Sequence, residues 1–314
     1  MSIASDPAAA RPSGKTDRQL MREEQAIARQ FMGRVPWEMV AWGLGNFLVW
    51  LSLWPLVLTG TLPLWAGFVG ATLCCALAYL PSHEAQHSII AQEGEKLRWL
   101  NELVGHVSTI PLVFPYRIAW ITHRIHHAYS NDPERDPDIG SQGPTWWKAA
   151  YNSLRERQPM HDGMYAKTLR ESDDPKRDRA FVEGLALKLV HFGTLTVFAW
   201  TGHALEAALL WWLPRHIGFT YLITFLSWAP HHPMKETGRY RDTRFWKSPV
   251  GTILSMGMEF HIVHHLYPRI PLLDTPKAWR ALEPILLERG IRDDRDVDWS
   301  AGVADPRAAD AEAA

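Results

Sequence analysis

Residues 36–87 read PWEMVAWGLGNFLVWLSLWPLVLTGTLPLWAGFVGATLCCALAYLPSHEAQH. The 46 residues from Pro36 to Pro81 contain no lysine or arginine and a single acid, Glu38. One helix of about 20 residues crosses about 30 Å of hydrocarbon, so this run is too long for one span and predicts two, near 37–59 and 63–82, turning at Gly60-Thr61-Leu62-Pro63. Trp37, Trp42, Trp54 and Trp65 fall where aromatic belts at the two interfaces would lie. Directly after the second span the run becomes His83-Glu84-Ala85-Gln86-His87, which is chemistry rather than lipid contact.

A second apolar region, from Gly184 to Pro230, predicts spans near 184–201 and 212–229. Thr201-Gly202-His203 and Leu213-Pro214-Arg215-His216 mark the candidate turn, with an interfacial piece holding Glu206, Trp211 and Trp212 between the spans. Arg215 is expected at the far interface, because a charge at the bilayer centre is costly. Nearly all lysines and arginines lie elsewhere, in residues 11–34, in the 96–188 loop and after Lys235, which places both termini and the long loop in the cytoplasm. The expected fold is an all-α integral membrane protein of four transmembrane helices with a cytoplasmic helical cap. Its membrane domain covers 36–285, between an N-terminal segment (1–35) and a C-terminal tail (286–314), and the bacterial inner membrane is the expected location.

Residues 1–35 lack the order of a signal peptide, so the first hairpin is expected to direct insertion. The stretch from Leu20 to Phe31 is weakly amphipathic and reads as a membrane-surface helix or a solvated one. Residues 302–314 have the composition of a disordered tail. The 314-residue chain balances 33 basic against 34 acidic residues, which argues against nucleic-acid binding. Its two cysteines, the neighbours Cys74 and Cys75, exclude a sulfur-held cluster.

The chain has 15 histidines, and eight of them fall in three groups: His83 and His87; His123, His126 and His127; His261, His264 and His265. On a helix, positions i, i+3 and i+4 share a face, so each group is expected to present its imidazoles in one direction. The predicted topology puts all three at the same face of the membrane. Imidazole suits zinc, copper, iron and nickel, and eight ligands exceed what one four-coordinate zinc needs. Two metal ions are therefore expected, with iron as the redox-active candidate. Metal-bound histidines hand their second N–H to a carboxylate or carbonyl, for which Glu84, Asp132, Asp136 and Asp138 are candidates; the aspartates also fit an ordinary loop. Two other readings stand beside this one. His83-Glu84-x-x-His87 is a literal H-E-x-x-H, as in zinc proteases, and a transporter or scaffold could use histidines structurally.

The groups resemble the three histidine boxes of the membrane fatty acid desaturase and hydroxylase superfamily, as His83-x3-His87, His123-x2-His126-His127 and His261-x2-His264-His265, over roughly residues 37–285. The likeness extends to Asn131-Asp132-Pro133 with Asp136-Pro137-Asp138, and to His264-His265-Leu266-Tyr267-Pro268. It implies a four-span protein whose cytoplasmic cap holds two ferrous ions, with O2 as co-substrate and hydrogen abstraction from an unactivated C–H bond. It further implies one extra ligand just after the fourth span, where the sequence is Trp228-Ala229-Pro230-His231-His232-Pro233; His231 is the choice, with His232 second.

Within the superfamily the Trp-x-Pro-His-x-Pro pattern and Arg241-Asp242-Thr243-Arg244 look most like carotenoid β-ring hydroxylases, then carotenoid ketolases, with fatty acyl desaturases or hydroxylases as the alternative. Ala229, where a leucine is common, and Glu84, where an aspartate is usual, depart from that pattern. The substrate is expected to be a lipid entering from the bilayer. No dinucleotide fingerprint, cysteine cluster or haem-binding extension is present, so electrons are expected from a separate protein, a ferredoxin with its reductase. His106, His161, His191, His203 and His216 receive no role.

Overall fold

The computed structural model describes residues 13–158, 163–247 and 253–295. Within them the chain is helical, and the only β-type pairing is a single bridge between Phe245 and Asp293. The disordered tail expected at 302–314, and His161, lie outside the described residues.

The opening stretch folds as a hairpin. Helix α2 (Trp37–Leu58) and helix α3 (Leu64–Ala76) are separated by a turn whose Gly60 takes φ +72°, a conformation glycine adopts without steric cost. Helix α3 continues after a short break into α4 (Tyr79–Gln86). Among the described residues three helices are long and apolar enough to cross a membrane: Trp37–Leu58, Leu64–Gln86 and Arg177–Trp200 (α9 in chain order). In α9, Leu185, Leu189, Val190, Phe192, Val197 and Trp200 face outward, while Ala180, Gly184 and His191 are its buried residues. A helix apolar around most of its circumference is stable in lipid, not in water.

Between the hairpin and α9 lie α5 (Arg98–Ser108), α6 (Tyr116–Tyr129), α7 (Trp146–Glu156) and α8 (Met164–Glu171). After α9 and a turn at Thr201-Gly202-His203, residues 204–231 form a continuous helical rod, α10, with π-helical turns at Ala208–Trp212 and Leu222–Trp228. Two predictions change here. Leu213-Pro214-Arg215-His216 is not a turn but lies inside the rod, and the piece holding Glu206, Trp211 and Trp212 is its first turns rather than an interfacial connection. Pro214 sits in the first turn of a regular segment, where its missing N–H has little to lose. Arg215 is half-buried and donates Nε–H to the Leu112 carbonyl (3.2 Å).

The tryptophan belt is also partly redrawn. Trp37 and Trp65 are exposed, but Trp54 is buried with Trp50 and Trp211 in one aromatic core. Trp50 Nε1 donates to the Leu210 carbonyl (3.2 Å) and Trp211 Nε1 to the Pro111 carbonyl (3.1 Å), the partners a buried indole needs.

Helix α1 (Asp17–Arg29) packs one face against the rest of the protein. Its Leu20 and Ala28 pack on the C-terminal helix α12 (Thr275–Glu288), and its buried Glu24 accepts hydrogen bonds from Tyr240 (2.9 Å) and Tyr267 (2.6 Å). Beyond 285, Arg292 and Asp294 are buried and Phe245 N–H bonds the Arg292 carbonyl. Residues on both sides of 35 and of 285 thus share one core with the third histidine group's helix. The remaining helix, α11 (His261–Leu266), carries the third histidine group.

Candidate metal centre

Helix α4 brings His83 and His87 one turn apart, α6 carries His123, His126 and His127, and α11 carries His261, His264 and His265. The last turn of α10 adds His231. All nine predicted imidazoles come together, in two groups: His83, His87, His123, His127 and His264 in one, and His126, His231, His261 and His265 in the other. Within each group one nitrogen per ring lies within 4.8 Å of every other. His232 takes no part in either group, its ring lying on Trp228 at 4.5 Å between centroids.

The expectation that each box points in one direction is corrected by this split. Residues i and i+4 are offset by about 40° around a helix, but i+3 and i+4 by about 100°. His123 and His127 therefore face the first group while His126 faces the second; His261 and His265 face the second while His264 turns to the first. Each H-x-x-H-H box thus serves both groups.

The donor set suits a cation and little else. Nε2 atoms approach in a chain: His87 to His123 (2.8 Å), His123 to His127 (3.1 Å), His127 to His264 (3.0 Å); in the second group His126 approaches His231 (3.1 Å). Two nitrogens at about 2.0–2.1 Å from one metal and at right angles stand about 3 Å apart. Both ring nitrogens of His83, Nδ1 of His261 and Nε2 of His265 are buried with no hydrogen-bond partner in the protein, a cost that metal ligation would remove. Burial, followed by the neighbouring imidazoles, holds His123, His127, His261, His264 and His265 well below the usual histidine range, in the neutral form a ligand must have.

His126 differs. Burial pulls it down, but the Asp136 carboxylate 2.8 Å from Nδ1, helped by Asp138, lifts it to about 9. The Asp136 contact keeps a proton on Nδ1 and turns Nε2 to the group, where a bound cation would take the place of the second ring proton. Asp136 is itself buried and accepts N–H bonds from Asn131 (2.7 Å) and Asp138 (2.9 Å). Asp138 lies 4.0 Å from His126 Nδ1 and accepts from Tyr165 and from Ser227 (2.7 Å).

The other two candidate carboxylates do something else. Asp132 caps its own loop, accepting from the N–H groups of Glu134 and Arg135 and from the Arg135 guanidinium. Glu84 accepts from Leu272 N–H (2.6 Å) and reaches no imidazole, being one residue and so about 100° away from His83. Two partners were missed from sequence. The Asp242 carbonyl accepts from His231 Nδ1 (3.1 Å) and from Asn131 Nδ2 (2.6 Å), and the Asp242 carboxylate lies 3.6 Å from His265 Nδ1. Both residues stand in quoted motif stretches, but nothing in their spacing pairs them across 111 positions.

A narrow cavity of about 20 Å³ touches both groups, through His83 and His123 of one and His126, His231 and His261 of the other. Its apolar wall is Phe114, Leu222, Leu226 and Met258, and Asp138, Tyr165 and Ser227 form one polar spot. Of the unassigned histidines, His106 lies near Glu102 and Glu183, His191 packs on Trp211, His203 faces Glu206 and His216 touches Arg215.

A family model described as fatty acid desaturase matches residues 48–295. Among curated proteins, an sn-1 oleoyl-lipid 12-desaturase of a Picosynechococcus species is 23% identical over 255 residues, covering 71% of this chain and 69% of that protein. An sn-1 acyl-lipid omega-3 desaturase (ferredoxin) of a Nostoc species is 25% identical over 242 residues, covering 67% of this chain and 64% of that protein. The dihydrorhizobitoxine desaturase of Bradyrhizobium elkanii is 26% identical over 222 residues, covering 63% and 61%. The chain thus spans between 61% and 69% of the length of these three relatives.

Proposed function

We propose that this chain, which belongs to the fatty acid desaturase family of oxygen-dependent di-iron oxidoreductases, removes two hydrogens from a saturated stretch of a membrane lipid's acyl chain. The observation that carries the reading is nine imidazoles converging in two groups beside a cavity with an apolar wall. The relatives named above include two acyl-lipid desaturases, which favours an acyl chain over the ring of a carotenoid. The carotenoid hydroxylase expectation finds no specific support in those relatives.

When bound, two irons supply the activation of O2 and the hydrogen abstraction. Overall, CH2–CH2 becomes CH=CH while O2, two electrons and two protons become two waters. His83, His87, His123, His127 and His264 hold one metal, and His126, His231, His261 and His265 the other. Asp136 fixes the His126 ring, and the Asp242 carbonyl fixes His231. Phe114, Leu222, Leu226 and Met258 exclude water and keep the chain extended past the imidazoles. Electrons come from a ferredoxin-type donor, as in the name of the Nostoc relative. In the proposed topology α2, α3–α4, α9 and α10 are the four spans, with the histidine end cytoplasmic.

The test is expression with a ferredoxin and its reductase in cells with saturated acyl lipids and, separately, in cells making β-carotene. New double bonds in the lipids support the reading. Unchanged lipids with hydroxylated or ketolated pigment would replace it.

A further inference from the structure

Two arginines, Arg157 and Arg215, both touch His216 with no carboxylate for company among the described residues. Arg157, at the end of α7, donates Nη1–H to Ser153 (2.5 Å) and Nη2–H to Thr220 (2.7 Å) and to the His216 carbonyl (3.4 Å). Arg215 contacts the ring of the same His216 (Nη1 to Nε2, 3.3 Å). Among the described residues neither guanidinium has an acidic partner. Arg157 Nε is buried without a hydrogen bond, and burial, then the Arg215 charge, pulls Arg157 down to about 10. Two like charges held close in a low-dielectric setting are costly unless something neutralises them.

Their position says what that is. Helix α7 exposes Trp146, Trp147, Tyr151 and Leu154 along one stripe, the pattern of a helix lying in a membrane interface, and Arg157 is at its end. The Arg157 guanidinium stacks over Phe219 (4.8 Å), Phe219 packs edge-on against Phe114 (5.2 Å), and Phe114 lines the cavity that reaches the imidazoles. We propose that Arg157 and Arg215 form a cradle for the oxyanion, phosphate or carboxylate, at the head of a lipid whose chain passes Phe219 and Phe114 into the cavity. Guanidinium forks match such oxyanions and bind them bidentately. This deepens the proposed function and rests on it for the identity of the chain.

The test uses the full-length, iron-loaded protein and two fluorescent lipids with the same chains, phosphatidylglycerol and diacylglycerol. The wild type should bind phosphatidylglycerol about tenfold or more tightly than diacylglycerol, the worth of one or two charge-assisted hydrogen bonds. R157Q/R215Q should lose that preference while diacylglycerol binding stays, which shows an intact fold and cavity, and R157K/R215K should restore part of it. Inorganic phosphate should compete with phosphatidylglycerol in the wild type and not in R157Q/R215Q. An unchanged preference in R157Q/R215Q, or phosphate binding without any phosphatidylglycerol preference, overturns the proposal. These binding ratios read out even if no lipid is oxidised; conversely, lipid oxidation indifferent to head-group charge would sink the cradle and leave the proposed function standing.

Discussion

His126 and His127 are neighbours in the chain yet face different groups, and Asp136 is the residue that fixes the first of them. Replacing Asp136 with asparagine keeps the shape and removes the charge that keeps a proton on Nδ1. Metal affinity of the second group should fall about 10–100-fold, the usual effect of losing a ligand's hydrogen-bond partner, and iron per protein after dialysis measures it. Asp132→Ala, which removes only a loop cap, should leave the iron content unchanged and cost at most about 1 kcal/mol in a denaturation experiment. The contrast shows what was legible at this scale. Ligand identity came from spacing, because imidazoles four apart on a helix must share a face. The carboxylates' roles did not, because Asp132, Asp136 and Asp138 are equivalent in a loop of unknown path.

Between elements, α10 packs on α3 where Gly218 meets Cys75: a Cβ on Gly218 would stand 2.5 Å from Cys75 Cβ and 2.8 Å from its carbonyl carbon. Small residues let helices approach in a membrane bundle, where no hydrophobic force drives them together. Gly218→Ala should lower the melting temperature, at a cost of about 1–3 kcal/mol, whereas Gly193→Ala on the outer face of α9, with nothing within 4 Å of its Cβ, should not. Helix α1 offers a second test. Glu24→Ala leaves Tyr240 and Tyr267 without their acceptor and Arg289 without its charge partner (3.2 Å), so α1 should undock and become cleavable by trypsin at Arg22 or Arg29 in the folded protein. Neither contact was visible in the sequence. The hairpin turn was, since Gly and Pro punctuate it, while the continuity of α10 was not, because Pro214 and Arg215 imitate a turn.

At the scale of the molecule, three far-separated stretches and the end of α10 converge on the two groups, so metal should hold the cap and the helical bundle together. Iron-loaded protein should melt at a higher temperature than protein stripped by a chelator, and re-addition of ferrous iron should restore the difference. An equal melting temperature with and without iron would count against ligation by these imidazoles. The sequence by itself determined that the chain is helical, has lipid-suited segments, and carries clustered imidazoles. These follow from local composition and helical period, which need no knowledge of distant residues. Only the tertiary structure decided that the imidazoles divide five and four, that Asp242 rather than Glu84 serves them, and that Arg157 meets Arg215. Each of those depends on which segments the fold brings together, and such packing leaves no periodic trace in a sequence.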